Sequence, residues 1–446
     1  AASISVDGNA IFSGITTIGS KEVGAGITLS PDGHVSVSGV VTATSFSGDG
    51  SALTGVGGTD FIHSEQVNVS GIVTAQAFVP TAQGRFPRNM IINGGALVAQ
   101  RAKDATEVQS TGYGSVDRFR LEYSGTDEAP VQLQSQPSAS DSGENPYKAG
   151  MTKAFHIRNG NQTSVGSNDT LIILYRVEAQ DLRNSGWDYT NPNSYITLSF
   201  WVKSSVAQNF YGYLLTVDGT AYQYPFETGS LSANTWTKVT KTIPGNSNLQ
   251  FDNDNGKGLG IVWWPFLGDS YTDSGVSLDT WATWSTSTRT PDATNTWYLT
   301  NDATFQITGV QLEVGSAATP FEHRSFGEEL ARCQRYCFTL GGSVGGNAEV
   351  GTTLAMAVQS HSTYCKTHIQ HPVTMRSKDI TFTFSDLTVD DDIASYSDSR
   401  VQSIDSALSS ATDSTIIFVT VSMNNVNATR ILTDTTGGYI FCDCEL

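Results

Sequence analysis

Residues 195–203 read Y-I-T-L-S-F-W-V-K. Ile196, Leu198, Phe200 and Val202 alternate with Thr197, Ser199, Trp201 and Lys203. Successive side chains of a strand point to opposite faces, so this stretch reads as a half-buried strand with one apolar face. Such a face needs a second layer to cover it, which is the pattern of a sandwich. Stretches 171–179, 236–243, 258–264 and 304–314 have the same character, with Gly, Asn and Asp turns between them. The expectation for residues 89–325 is a β-sandwich of jelly-roll type.

Composition agrees with an all-β chain. Its 446 residues leave room for two or three domains. Only 15 % are charged and 43 are glycine, with Ser, Thr and Asn between short apolar runs, which favours strands and turns over helices. Lys and Arg number 25 against 43 Asp and Glu, a net charge of −18. That balance speaks against nucleic-acid backbone binding, which needs a basic patch, and against anionic membrane surfaces. No run reaches the roughly 18 apolar residues of a membrane span, and no basic-then-apolar leader is read, so no membrane insertion is expected. The cysteines, Cys333, Cys337, Cys365, Cys442 and Cys444, are an odd, sparse set. They do not form a disulfide framework and are expected to be reduced and packed.

Before the sandwich lies a repeat. V-S-V-S-G-V-V-T-A at 35–43 returns as V-N-V-S-G-I-V-T-A at 67–75, with a degenerate copy starting at Ala10. Phe46 and Phe78 follow the two full copies. Alternate positions are Val, Val, Gly, Val, Ala, again one apolar strand face. A thin stretch of residues 1–88 cannot cover that face alone, so the repeat predicts a shaft built from several chains.

One helix is legible. Ser325 is placed to cap it, Glu328 and Glu329 fall in its first turn, and the apolar stripe runs through Leu330, Cys333 and Cys337 toward Gly341-Gly342. A connecting helix is therefore expected at 326–338. Residues 339–446 alternate again at 352–358, 381–384, 415–423 and 439–444, and are expected to form a smaller β-sandwich.

Several motifs together resemble a known family. V-S-G-V-V-T-A-T-S-F-S-G-D-G-S-A-L-T-G-V at 37–56 resembles the shaft repeats of tail or virion fibre proteins of marine, cyanophage-type bacteriophages. The runs N-M-I-I-N-G-G at 89–95 with V-A-Q-R at 98–101, Asp117-Arg118-Phe119, L-S-F-W-V-K-S-S at 198–205 and G-V-Q-L-E-V-G at 309–315 look like the domain that follows such shafts. Ala318-Thr319-Pro320-Phe321-Glu322 with Arg324-Ser325 and Cys333-Gln334-Arg335-Tyr336 resembles its close, and the ending at Asp443, Glu445 and Leu446 resembles the last strand of a fibre head. The resemblance implies a homotrimeric fibre, a carbohydrate-binding-like jelly roll and a C-terminal receptor-binding knob. It implies a place in the virion, on tail, baseplate or capsid.

The aromatics supply the candidate binding residues. Trp263, Trp264, Tyr271, Trp281 and Trp284 lie close in sequence, interleaved with Asp269, Asp273 and Asp279. Sugar sites combine an aromatic platform with nearby polar groups. The alternative is that one of each adjacent pair is core and the other covers a sheet face. Trp187 and Tyr189, before Asn191-Pro192-Asn193, are a second choice. In the last unit, Asp391, Tyr396, Asp398 and Asn425 sit in polar stretches suited to receptor-facing loops, or to a merely solvated run.

Metal and catalytic readings are weaker. Asp252-Asn253-Asp254-Asn255-Gly256 departs from a calcium loop because glycine occupies its fifth position, and reads as a polar turn. His361, Cys365, His368 and His371 have poor spacing for a site on one strand, so no metal and no cofactor are expected. No phosphate loop or dinucleotide fingerprint is present. The expectation is a non-enzymatic trimeric fibre, joined to other virion proteins at its N-terminal end, that adheres to a bacterial surface polysaccharide or lipopolysaccharide. The alternatives are a tailspike that cleaves surface polysaccharide and a decoration fibre that binds no receptor.

Overall fold

The computed structural model describes residues 88–102, 106–342, 352–361, 363–390, 399–421, 430–434 and 438–446, with five short strands between residues 3 and 37. The chain divides into two compact units, Ala1–Ala77 and Phe78–Leu446. In the first, Ser3–Ile4 pairs with Ala10–Ile11, and Lys21–Val23, Ile27–Leu29 and Val35–Val37 form an antiparallel three-stranded sheet. Val35–Val37 opens the first full repeat copy; the rest of that copy, the second copy, Phe46 and Phe78 lie outside the described residues.

The second unit begins with two six-stranded sheets. The front sheet runs in the order Ala282–Thr283, Tyr222–Ser230, Asn209–Thr216, Lys257–Leu267, Thr170–Glu178 and Arg120–Ser124. The back sheet runs Val131–Ser135, Ala154–Arg158, Thr304–Val314, Tyr195–Ser204, Thr235–Pro244 and Ser142–Gly143. All pairings are antiparallel except that of Ser142–Gly143. The five stretches read as strands are all strands, to within a few residues at each end. Their alternation builds the core: Ile196, Leu198, Phe200 and Val202 are each fully buried and face the front sheet. Phe200 meets Trp263 edge to face, with centroids 5.5 Å apart. Outside the back sheet, Trp201 and Trp236 pack on Ala154, and the indole of Trp236 donates to Asp141 at 2.8 Å.

The helix starts as expected and stops early. Ser325 Oγ accepts from the amide of Glu328 at 3.2 Å, capping Phe326–Gln334. Cys337, placed by its spacing on the helix, instead opens a strand, Cys337–Gly341. The 337–341 run C-F-T-L-G has the β-rich composition of a strand, and its pairing with Tyr439–Asp443 outweighs the helical spacing.

Beyond it, six strands close into a barrel: Thr353–His361, Tyr364–Gln370, Ser414–Val421, Ser399–Ser410, Leu387–Asp390 and Arg430–Thr433. Tyr439–Asp443 lies between Cys337–Gly341 and Thr381–Ser385 in a separate three-stranded sheet. Cys365, Ile417, Val419 and Ile431 inside the barrel share one apolar cluster with Phe338, Ile440 and Cys442 of that sheet.

Candidate functional site

The outer face of the front sheet carries an aromatic array. In Asn209–Thr216 the period of two sends Leu214 into the core and Tyr211 and Tyr213 outward. Trp263 and Trp264 divide in the same way. Trp263 is core against Phe200, whereas Trp264 stacks on Tyr211 outside, with centroids 5.7 Å apart at 28°. Ile172, Leu174 and Val262 complete the apolar floor.

Residues 268–296 fold back over this face. Their path is fixed by backbone bonds from Asp273 to Thr290 at 3.0 Å, Arg289 to Tyr271 at 2.9 Å and Trp284 to Ala221 at 2.9 Å. Gln223 donates to the carbonyl of Thr288 at 2.6 Å, tying the segment to the sheet. The fold-back brings Tyr271, Trp284 and Arg289 together. The guanidinium carbon of Arg289 lies 4.5 Å from the centroid of Tyr271 and 6.0 Å from that of Trp284. The charge of Arg289 also acts on Tyr213, whose hydroxyl is pushed up chiefly by burial and pulled back by that arginine. Tyr211, Tyr271, Trp284 and Arg289 are half-buried, so they form the accessible rim of a buried floor. The indole N–H groups of Trp264 and Trp284 are buried with no acceptor among the described residues.

The other sequence candidates fall elsewhere. Trp263 and Trp264 are each 1 % exposed and Trp187 3 %, so none of the three offers an open ring face, a correction to their reading as a platform. Bulky apolar rings adjacent in sequence are drawn to opposite sheet faces, and both faces here are covered. Trp187 donates to the carbonyl of Ser194 at 3.2 Å and packs with Tyr189 and Phe251 under a loop. Trp281 donates to the carbonyl of Pro244 at 2.7 Å and rests on Tyr224 at the core edge. Asp269 and Asp273 are exposed; Asp273 accepts from Gly275 within its own turn, at 2.7 Å. Asp279 faces Lys241 at 3.4 Å. Asp391, Tyr396, Asp398 and Asn425 lie outside the described residues. Sequence reading missed Tyr211, Tyr213 and Arg289. The Y-G-Y spacing at 211–213 was a usable signal; the arginine gave none.

The metal candidates are occupied by ordinary bonds. His371 holds the carbonyl of Thr412 through Nδ1 and the hydroxyl of Thr415 through Nε2, both at 2.9 Å. Cys365 is buried in the barrel and His368 is exposed; the side chain of His361 lies outside the described set. In the 252–256 turn, Gly256 donates to Asp254 at 2.9 Å while its carbonyl accepts from Ala179 at 3.0 Å, so the turn caps the short helix Ala179–Arg183.

Residues 89–101, 117–118 and 443–446 form a buried polar latch. Asn89 accepts from Ile91 at 2.9 Å and Leu312 at 3.0 Å. Asn93 takes a left-handed φ of 62° and donates to the carbonyls of Val98 and Asp117. A Cβ at the adjoining Gly94 would lie 2.0 Å from the Val310 carbonyl oxygen, so only glycine fits. Arg101 reaches Asp443 at 2.8 Å and Glu445 at 3.4 Å, and Arg118 bonds the same Glu445. Asp117 accepts from Gln100 at 2.7 Å; its carboxyl is pushed up by burial against the pull of Arg101. Tyr113 and Arg176 hold the carbonyl of Leu446, and Arg376 that of Cys444 at 2.8 Å. The C-terminal strand is thereby fastened to the sandwich by buried charge.

No family profile and no curated protein matches the chain. Among solved structures, it is similar to the enzymatically active domain of bacteriophage CBA120 tailspike protein 4, at 10 % identity and a TM-score of 0.25, over 51 % of this chain and 21 % of that one. It is similar to the N-terminal cellulose-binding domain of Cellulomonas fimi β-1,4-glucanase C, at 10 % identity and a TM-score of 0.22, over 45 % and 90 % of the two chains. A family 11 carbohydrate-binding module from Clostridium thermocellum, solved with a mixed-linked tetrasaccharide, gives 10 % identity and a TM-score of 0.21 over 50 % and 100 %. The chain spans about a fifth of the tailspike domain's length. TM-scores this low establish no shared function.

Proposed function

We propose that this chain is a bacteriophage fibre adhesin that binds a bacterial surface glycan on the front-sheet face. The observation that carries the reading is the rim of Tyr211, Tyr271, Trp284 and Arg289 over a buried aromatic floor. Aromatic rings stack on the apolar face of a pyranose, and the half-buried rings of Tyr211, Tyr271 and Trp284 suit that contact. The motifs at 37–56, 89–101 and 309–336 support a fibre protein of a marine, cyanophage-type virion. The uncovered Val-rich face of the repeat supports a homotrimer, with other virion proteins at the N-terminal end. Three weak sites per fibre, and several fibres per particle, raise avidity by mass action without a strong single contact. Residues 339–446 serve as the distal knob, carried by the latch rather than by a flexible linker.

Purified protein is to be passed over immobilised bacterial surface polysaccharides, wild type beside Trp284→Ala. Retention of the wild type and its loss in the variant support the adhesin. Release of shortened oligosaccharides would move the assignment to a depolymerase. Absence of retention on every polysaccharide would leave the decoration fibre. Light scattering that gives a folded monomer would end the trimer reading.

A further inference from the structure

Arg289 is distinct among the arginines placed near aromatic rings. Arg101, Arg118 and Arg120 each face a carboxylate. Arg289 has none within ion-pairing distance among the described residues; its Nε donates to the carbonyl of Thr286 at 3.2 Å and its plane rests on Tyr271. In a chain of net charge −18, a half-buried guanidinium left without an acidic partner is a place where external negative charge is welcome. Stacking on Tyr271 and the bond from Nε to the Thr286 carbonyl fix the fork in one orientation, so little freedom is lost when an anion docks. The remaining N–H donors suit the paired oxygens of a carboxylate or phosphate.

We infer that the front-sheet site selects an anionic glycan, with Arg289 pairing its acidic substituent while Trp284 and Tyr211 hold the sugar ring. This rests on the glycan-binding reading above and deepens it. The shared chemistry is a sugar-borne anionic oxygen pair, supplied by a uronic acid carboxylate or by a phosphate substituent.

The test uses the full chain and a panel of acidic and neutral bacterial surface polysaccharides. Each acidic sample is also presented after carboxyl reduction and, separately, after dephosphorylation. The strongest ligand is expected to be acidic, and one of the two treatments is expected to weaken wild-type binding about tenfold or more. Loss on carboxyl reduction assigns the carboxylate, and loss on dephosphorylation the phosphate. Arg289→Gln is expected to lose the same factor and to become indifferent to the treatment, while Arg289→Lys keeps part of the preference. Melting curves of both variants separate misfolding from lost recognition. A neutral strongest ligand, or equal binding before and after both treatments, overturns the anionic preference and leaves the glycan adhesin standing if Trp284→Ala still abolishes retention. No binding to any polysaccharide overturns both.

Discussion

Arg335 holds the buried carboxylate of Glu178 with two hydrogen bonds, Nε at 3.0 Å and a terminal nitrogen at 2.9 Å. Glu178 ends a strand of the front sheet and Arg335 follows the capped helix, so the pair joins the sandwich to the start of the C-terminal region. Tyr336 adds a third donor at 2.6 Å. Burial would raise the Glu178 carboxyl, but these donors outweigh it and hold it below the ordinary value. Removing one partner of such a pair leaves a charge without its counterion. Arg335→Ala is therefore expected to cost about 3 kcal/mol, at the low end for a buried pair because the guanidinium keeps some solvent contact. Urea unfolding monitored by tryptophan fluorescence measures it. A change under about 0.5 kcal/mol would mean the pair is replaceable by water.

His156 should give the protein a pH-dependent stability above the carboxylate range. Burial, with Lys203 and Arg158 nearby, lowers its pKa to about 4, and neither ring nitrogen has a partner among the described residues. The folded state therefore holds the ring neutral, whereas the unfolded chain takes up a proton near pH 6.5. Its contribution is fully present above that value and is lost as pH falls through 6.5 toward about 4. The melting temperature of the wild type is expected to fall across this window, and that of His156→Gln to fall less. Parallel curves for the two proteins would refute the assignment.

What was legible in the sequence was local. The alternation at 195–203 gave a strand and its buried face, and Ser325 gave the start of the helix. The adjacent tryptophans 263 and 264 were equally informative about geometry, since they had to face opposite ways; which one could meet a sugar depended on what covers the outer face. That cover, residues 268–296, has little periodicity of its own and is held by bonds such as that from Gln223 to Thr288. The latch was invisible for a different reason. Arg101 and Glu445 are 344 residues apart, and no local pattern announces that a surface-looking arginine will be buried with a C-terminal carboxylate. The early end of the helix followed from the same blindness, because the strand partner of Cys337 arrives only at Asp443.

The five cysteines are expected to be silent toward thiol reagents in the native state. All are free and buried. Burial pushes each thiol up, Cys365 to about 11, and the acidic neighbours of Cys333, Cys337 and Cys442 add to the rise. The reactive thiolate is therefore scarce at neutral pH and shielded as well. Titration with a chromogenic disulfide should find no fast-reacting thiol in the folded protein and all five in guanidinium chloride. A rapid native reaction at any one would show that its packing opens.

Trp264 and Trp284 allow stability and recognition to be separated on one face. Trp264 is 1 % exposed and stacked on Tyr211, so Trp264→Ala leaves a cavity beneath the rim and should cost about 3–5 kcal/mol. Trp284 is half-buried at the rim, and its ring neighbours are Arg289 and the returning segment. Trp284→Ala should change the melting temperature little while weakening glycan binding about tenfold, the scale of one lost aromatic contact. Tyr211→Phe keeps the ring and should retain most of the binding, which distinguishes stacking from a role of the hydroxyl. Affinity electrophoresis in polysaccharide-loaded gels, run beside calorimetry, reads both quantities on the same samples. If Trp284→Ala binds as the wild type does, the front-sheet rim is not the glycan site.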